Sequence, residues 1–490
     1  MGKWIHLLSW LLIWPTLFAN DPDLRADLVQ RRQSVMEKMG NRGMLILFSA
    51  DVRPYSGDVS YEFRQENNLF YLTGIRHPET TLVLMPQNSS RREILFSPDR
   101  DPHRELWYGK MASPEEVEGI SGIQTVWSSS EFDSFLNSVL YGRPYRSQSS
   151  QFDDFFADLQ KGVADVYLLM EPKPGSTGEI SEEFRFANRL RERFTGIQIK
   201  DASQIFQQLR VIKSPYEVQQ LQEAIDITIE AQLEVMKILH PGLWEYEVEA
   251  LIEYVFKKRN SFDWAFPSIV ASGPNATTLH YQESQRQIQD GELLLMDIGA
   301  EYNYYAADIT RTIPVNGTFT PEQAAIYQLV LNAQKESIAL IKPGVPIVTV
   351  HQKATEVLKE GLFHLGLITD LSTNQYRVFF LHGVGHFIGL AVHDVQSGDH
   401  LQPNMVLTIE PGIYVREDSE ERLIAQGVSE KELDKIRLAL RKFMNIGVRI
   451  EDNILVTEDG YQVLSQTAPR EISEIERLME ARENPDPLTR

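Results

Sequence analysis

Apolar positions fall into two textures along this 490-residue chain. From Asp21 to about Asp201, short apolar runs at MLILF (44–48), TLVLM (81–85), EILF (93–96) and VYLLM (166–170) alternate with amphipathic stretches such as 181–193. This pattern predicts strands separated by helices, a mixed α/β arrangement. Ser- and Pro-rich segments at 144–150 and 172–177 read as loops. The texture changes at Lys213-Ser214-Pro215-Tyr216-Glu217, where a capping serine, a proline in the first turn and an acid near the positive helix end predict a helix start. Helical spacing then runs from Val218 to Leu239 and stops at His240-Pro241-Gly242. A second helix is predicted over 245–259, and strand patterns dominate after it. The boundary falls near 202, giving domains at 21–202 and 203–466 and a charged tail at 467–490. Within that tail Glu471–Arg482 reads as one short helix, and Asn484–Arg490 as a frayed end.

Composition narrows the class. The length exceeds what one ordinary core supports, so two domains are expected. A formal charge of −21 argues against nucleic acid, because a phosphate binder needs a basic face. The absence of cysteine excludes disulfides, thiolate zinc sites, a cysteine nucleophile and an N-terminal lipidated cysteine. Lys3 followed by an apolar run from Trp4 to Phe18 and by Ala19-Asn20-Asp21 has the layout of a secretory signal peptide over 1–20. Leu17 is a poor residue two places before Ala19, so an uncleaved anchor is the alternative. The expected location is secreted or periplasmic, with no stable membrane span after this segment.

Candidate chemistry sits in five short motifs: Asp297 in LLMDIGA, Asp308 in YAADITRT, His386 in HGVGHFIG, Glu410 in LTIEPGIY and Glu451 in GVRIEDNI. Glu292–Ala300 and Tyr304–Thr312 read as two strands of a hairpin turning at Tyr302-Asn303. In that register residues whose numbers sum to 605 are opposed, which sets Asp297 against Asp308. Like charges so placed are destabilising unless a cation lies between them. Glu410 ends a strand-like run before Pro411-Gly412. Glu451 shares a strand face with Arg449, which suits an arginine that orients a ligand carboxylate. Four carboxylates and one imidazole look like the ligand set of a two-metal hydrolase. This hard, oxygen-rich set favours Mn²⁺ or Co²⁺, with Zn²⁺ also admitted.

Together with TTLHY around His280, His382 to His393-Asp394, FRQENNLFYLTG (63–74) and Glu105-Leu-Trp107-Tyr-Gly, these motifs resemble the aminopeptidase P family of M24 metallopeptidases from about residue 25 to 466. The resemblance implies an α/β (α+β) fold, with an N-terminal creatinase/prolidase-like domain and a C-terminal pita-bread metallopeptidase domain. It implies hydrolysis of the N-terminal X-Pro bond of peptides by a hydroxide bridging two divalent ions. Asp297 would hold one ion and His386 with Glu410 the other, with Asp308 and Glu451 bridging both. Glu410 would also shuttle the proton, His280 and His393 would steady the carbonyl oxygen and substrate backbone, and His382 would line the proline pocket. Tyr414 and Trp107 are read either as pocket residues or as core. A homo-oligomer, dimer or tetramer, is expected on the same ground.

The chain departs from the family in a short connection between His393 and Glu410 that lacks an arginine, leaving peptide-length preference open. It also carries a charged insert at about 416–445, read as a surface helix pair. Prolidase, with the same fold and metals but confined to dipeptides, is the competing reading; the 63–74 segment and the form of Asp308–Thr320 favour aminopeptidase P. A non-catalytic binding protein on the same scaffold, or a metal-free amidinohydrolase, is opposed by retention of all five ligands.

Overall fold

The computed structural model describes residues 21–146, 152–170 and 181–481. The signal-peptide segment, most of the two predicted loops and the frayed end lie outside these residues. The chain divides into two compact units between Leu209 and Arg210.

The first unit is built on six strands, β1 (Met44–Phe48), β2 (Thr81–Leu84), β3 (Glu93–Ser97), β4 (Val126–Ser128), β5 (Ala164–Leu168) and β6 (Ile197–Asp201), ordered β4-β3-β2-β1-β5-β6. The β1–β2 and β2–β3 pairs are antiparallel and the others parallel, so the sheet is mixed. The four apolar runs read from the sequence fall on β1, β2, β3 and β5, and the 181–193 stretch forms the helix Glu182–Arg193. Trp127 packs edge-on against Phe96 and Phe135 in the core of this unit.

In the second unit, the helix Pro215–Ile238 opens on a capping box: Glu217 N–H donates to Ser214 Oγ and Ser214 N–H donates back to Glu217 Oε2. The next helix is Glu245–Lys258. The strands that follow include β7 (Ile269–Ser272), β8 (Leu293–Ile298), β9 (Ala300–Tyr302), β10 (Tyr305–Ala306) and β11 (Ile309–Pro314). β7-β8-β11 form one antiparallel sheet. After two further helices, Pro321–Ile338 and Ile347–His364, come β12 (Val406–Ile409), β13 (Gly412–Tyr414), β14 (Gly447–Arg449), β15 (Asp452–Val456) and β16 (Tyr461–Val463). These pair as β12-β15-β16 and β13-β14. The large apolar core joins the helices to the inner faces of these sheets.

The hairpin register differs from the expected one. Asp297 pairs with Thr310 and Tyr302 with Tyr305, so opposed residues sum to 607. Asn303 and Tyr304 have φ of 51° and 72°, and this left-handed pair forms the two-residue turn one position later than expected. A shift of one turn position moves the partner by two residues, which leaves Asp308 on the same face as Thr310. Asp297 and Asp308 are therefore diagonal, not directly opposed. Gly299 lies at the break between β8 and β9, where an added Cβ would stand 1.9 Å from Ala307 O.

The 416–445 insert forms helices Ser419–Ala425 and Glu430–Phe443, which bury Leu423, Leu433, Ile436, Leu440 and Phe443 while their charges face water. The described part of the segment expected as a charged tail, 467–481, is docked. Helix Ile472–Glu480 buries Ile475 and Met479, and Arg311 donates to Pro469 O and Ala468 O. Among the described residues no helix is long and apolar enough to cross a membrane.

Candidate metal centre

All eight sequence-predicted site residues, His280, Asp297, Asp308, His382, His386, His393, Glu410 and Glu451, line one cavity of about 310 Å³. Phe266, Ile269, Leu279 and Val392 supply its apolar wall, and Gln282 and Arg449 complete it. The sequence brings these residues together through four local devices. Asp297 stands on the buried strand β8, directly behind the apolar run that fills the core. Asp308 occupies the gap between β10 and β11, where Asn453 clamps its peptide: Asp308 N–H donates to Asn453 Oδ1 at 3.3 Å and Asn453 Nδ2 donates to Asp308 O at 2.5 Å. Glu410 and Glu451 each sit just outside a strand, between β12 and β13 and between β14 and β15. His386 is set against β12, with His386 N–H donating to Thr408 Oγ1 and Thr408 N–H donating to His386 O. Gly385 permits that approach, since an added Cβ would lie 1.9 Å from Thr408 O.

Asp308, His386 and Glu451 offer ligand atoms within 4.8 Å of one another. His386 Nε2 lies 3.3 Å from Asp308 Oδ2 and 3.8 Å from Glu410 Oε1. His386 Nδ1 faces Phe387 O at 3.2 Å, which assigns the proton to Nδ1 and leaves the Nε2 lone pair turned to the carboxylates. Burial pushes the His386 imidazolium down to about 4, so the ring is neutral near pH 7 and able to ligate.

The carboxylates are crowded and desolvated. Asp297, Asp308 and Glu451 are 8%, 5% and 1% exposed. Burial first, then the charge of Glu451, raises both Asp308 and Glu410 well above the usual carboxylate range. Burial and then Asp297 push Glu451 up to about 7. Asp297 Oδ1, Asp308 Oδ1 and Glu451 Oε1 are buried and meet no protein donor. An unpartnered buried acceptor costs about 1–3 kcal/mol, and more when charged, so three around one cavity call for cations. The donor set fits divalent metal: four carboxylates, one neutral imidazole and buried oxygens left open toward the cavity.

Arg449 serves a different carboxylate from the one expected. It is 3% exposed, and its Nη2 donates to Asp297 Oδ2 at 2.5 Å, not to Glu451. Glu451 instead accepts from Thr310 Oγ1 at 2.8 Å. The reason is the strand break: β14 ends at Arg449 and β15 begins at Asp452, so the two side chains do not continue one regular strand face.

Arg449 Nη1 also donates to Tyr414 Oη at 2.8 Å, and the Tyr414 hydroxyl stands 2.7 Å from His382 Nε2. His382 Nδ1 faces Gly383 O at 2.7 Å, so Nδ1 carries the proton and Nε2 accepts from tyrosine. Burial and Arg449 lower His382 to about 4. Burial raises Tyr414 to about 12, which keeps its proton available. Tyr414, fully buried, thus joins His382 to Arg449 and Asp297; core packing alone does not account for it.

His393 and His386 meet edge to face with centroids 4.2 Å apart. The next residue, Asp394, is buried beside Arg210 and 3.1 Å from Lys213 Nζ, which pins the loop. Trp107 belongs to the first unit, on helix Pro102–Tyr108, where it is 74% exposed and so does not serve as core. No residue between Val395 and Ile409 lines the cavity, so the short connection after His393 does not shape its wall. Thr310 and Asn453 were not singled out from sequence. Each lies two residues from a carboxylate, Asp308 or Glu451, and that period-two spacing was the available signal.

A desolvated cluster of this kind, at the base of a cavity in a two-unit α/β protein, defines a metal-dependent hydrolase. Comparison with known proteins gives its family. The model for Metallopeptidase family M24 matches residues 219–458, and that for the Aminopeptidase P N-terminal domain matches residues 28–146. The chain is 34% identical to the Xaa-Pro aminopeptidase of Haemophilus influenzae over 93% of this chain and 97% of that one. The solved aminopeptidase PepP of Pseudomonas aeruginosa superposes with a TM-score of 0.79 at 32% identity, covering 93% and 98% of the two chains. Zinc-substituted Escherichia coli aminopeptidase P in complex with product gives 0.79 at 31% identity, covering 94% and 99%. The chain belongs to the aminopeptidase P family of M24 metallopeptidases, and its catalytic unit has the pita-bread fold.

Proposed function

We propose that the protein removes the N-terminal residue from peptides whose second residue is proline, using two divalent metal ions. The observation that carries this is the convergence of the five ligand-type residues with His280, His382 and His393 on one cavity. Homology with Xaa-Pro aminopeptidases along both units supports it. When bound, the ions supply a nucleophile at neutral pH and polarise the scissile carbonyl. Asp297, Asp308, His386, Glu410 and Glu451 would hold them, and Arg449 fixes the Asp297 carboxylate. Mn²⁺ is the first choice for these hard donors, with Co²⁺ and Zn²⁺ as alternatives.

Glu410 is less enclosed than Asp308 and Glu451, and its oxygens lie 3.6 Å from His382 Nδ1 and 3.8 Å from His386 Nε2. A carboxylate at that position, beside the ions, would carry a proton to the departing proline nitrogen. His393 and His280 face the carbonyl oxygen and substrate backbone. His382, fixed by Tyr414, walls the proline side. Proline restricts φ and removes the amide N–H, so recognition must come from shape and from groups that do not need that donor. A cavity of this volume is at the small end of ligand sites, which suits an exopeptidase. The basic and apolar start of the chain supports export, with a homo-oligomer as the working form. N-terminal sequencing and sedimentation of the purified protein test these two points.

The deciding assay sets Arg-Pro-Pro against Gly-Pro after loading with Mn²⁺. Release of arginine from the tripeptide is expected, and cleavage of the dipeptide alone would overturn the assignment in favour of a dipeptidase.

A further inference from the structure

His280 is exposed, and among the described residues its ring makes no hydrogen bond. Its place in the cavity is therefore set by the backbone around it. That backbone is the excursion Ser272–Arg286, which leaves the sheet at the end of β7 and returns where Gln287 bridges Trp244. Glu245, the first residue of its helix and 0% exposed, sits at this closure. Its Oε1 accepts from Ser272 N–H at 2.7 Å, Ser272 Oγ at 2.8 Å and Asn275 Nδ2 at 3.1 Å. Its Oε2 accepts from Tyr281 Oη at 2.8 Å and Arg286 N–H at 3.0 Å. The two ends of the excursion and two points within it are thus tied to one carboxylate, and Tyr281 is the residue next to His280.

We propose that Glu245 is the positioning residue for His280 and that the Tyr281 hydroxyl is the link through which it acts. The inference rests on the reading of the cavity as the X-Pro hydrolytic site. The chemistry requires a carboxylate. Each oxygen faces a backbone N–H that can only donate, so an amide would turn its own NH₂ against one of them. Burying that carboxylate is costly unless its hydrogen bonds are complete, and here the helix N-terminus adds favourable charge. Burial raises Tyr281 to about 12, so its hydroxyl stays a donor. The excursion is also backed from behind: an added Cβ at Gly447 would stand 2.1 Å from Ala276 O, and Arg416 Nη1 donates to Thr277 O at 2.9 Å. Removing the Tyr281 hydroxyl, which also accepts from Gln285 N–H at 3.3 Å, frees the His280 end while these other ties stay in place.

The test is a cycle on the metal-loaded enzyme with Tyr281→Phe, His280→Ala and the double variant, read as kcat and KM on Arg-Pro-Pro. One hydrogen bond corresponds to a loss of about fivefold in rate when it acts wholly in the transition state. Expected is a fall in kcat of about that size for Tyr281→Phe, with KM little changed, and a fall of less than about twofold for the same change in the His280→Ala background. Equal losses in both backgrounds would overturn the proposal. A second readout needs no turnover: the His280 ring resonance, assigned by its absence in His280→Ala, should move in Tyr281→Phe while those of His240 and His364 stay. Glu245→Gln should move it further; if that variant does not fold, Tyr281→Phe, which lacks only one hydroxyl, carries the test. A wild type without X-Pro activity would refute the hydrolytic reading, whereas an unmoved His280 resonance in folded Tyr281→Phe would refute this one.

Discussion

Loading the apo protein with metal should expel protons from the carboxylate cluster, and the number can be worked from the site. In the folded apo protein Glu451 titrates near 7 against an ordinary 4.5, through burial and the nearby Asp297 charge. A raised acid is a stability term present below about 4.5 and lost as pH rises to about 7, a loss of roughly 3 kcal/mol from this group alone. A cation offsets that loss, because it requires the ionised form. At pH 6 the apo Glu451 is about nine-tenths protonated, so binding releases about one proton from it. Asp308 and Glu410 are raised in the same direction and add to the release. His382 and His386, lowered to about 4, are neutral above pH 5.5 and contribute little. Titration calorimetry of Mn²⁺ binding at pH 6, in buffers of different ionisation enthalpy, should count at least about one proton per chain, falling as pH approaches 7 if Glu451 leads. Glu451→Gln should lower the count by about one. No release at pH 6, or the same release from Glu451→Gln, would refute the view that crowded, protonated carboxylates await a cation.

Three further outcomes follow from the same geometry. Asp297→Ala should reduce kcat/KM on Arg-Pro-Pro by at least about a thousandfold while the circular dichroism spectrum is retained, since it removes a metal ligand and strands the Arg449 guanidinium. Asn453→Ala leaves the Asp308 peptide without two partners and should cost about 2–4 kcal/mol, read as a lower midpoint in urea unfolding. Ser214→Ala removes one half of a capping box whose residues do not line the cavity and should cost about 1 kcal/mol with kcat unchanged, measured by thermal melting beside the peptide assay.

Much of the fold was legible because its signals are local. The strand β1 coincides with its apolar run, and Ser214-Pro215 with Glu217 starts the long helix where a cap, a proline and an acid require it. The ligand motifs were legible for a related reason: each carries its own backbone device, such as Gly385 beside His386 or the strand end before Pro411. What depended on long-range register was not. The turn at Asn303-Tyr304 rests on two left-handed residues, one of them a tyrosine, which composition does not announce, and the opposed pair moved by two places. The partner of Arg449 was misread because a strand break separates it from Glu451, and Tyr414 was undecided because its hydroxyl contacts lie 32 and 35 residues away. Glu245 gave no sequence signal at all. Its donors are spread over Ser272 to Arg286, and only the folded excursion gathers them onto one carboxylate.

The central claim is best tested by titrating the chelator-stripped protein with Mn²⁺ while following arginine release from Arg-Pro-Pro. Activity should be absent at the start, rise with metal and level off at two ions per chain. Full activity in the stripped protein, or no arginine release at any metal loading, would contradict a two-metal X-Pro aminopeptidase.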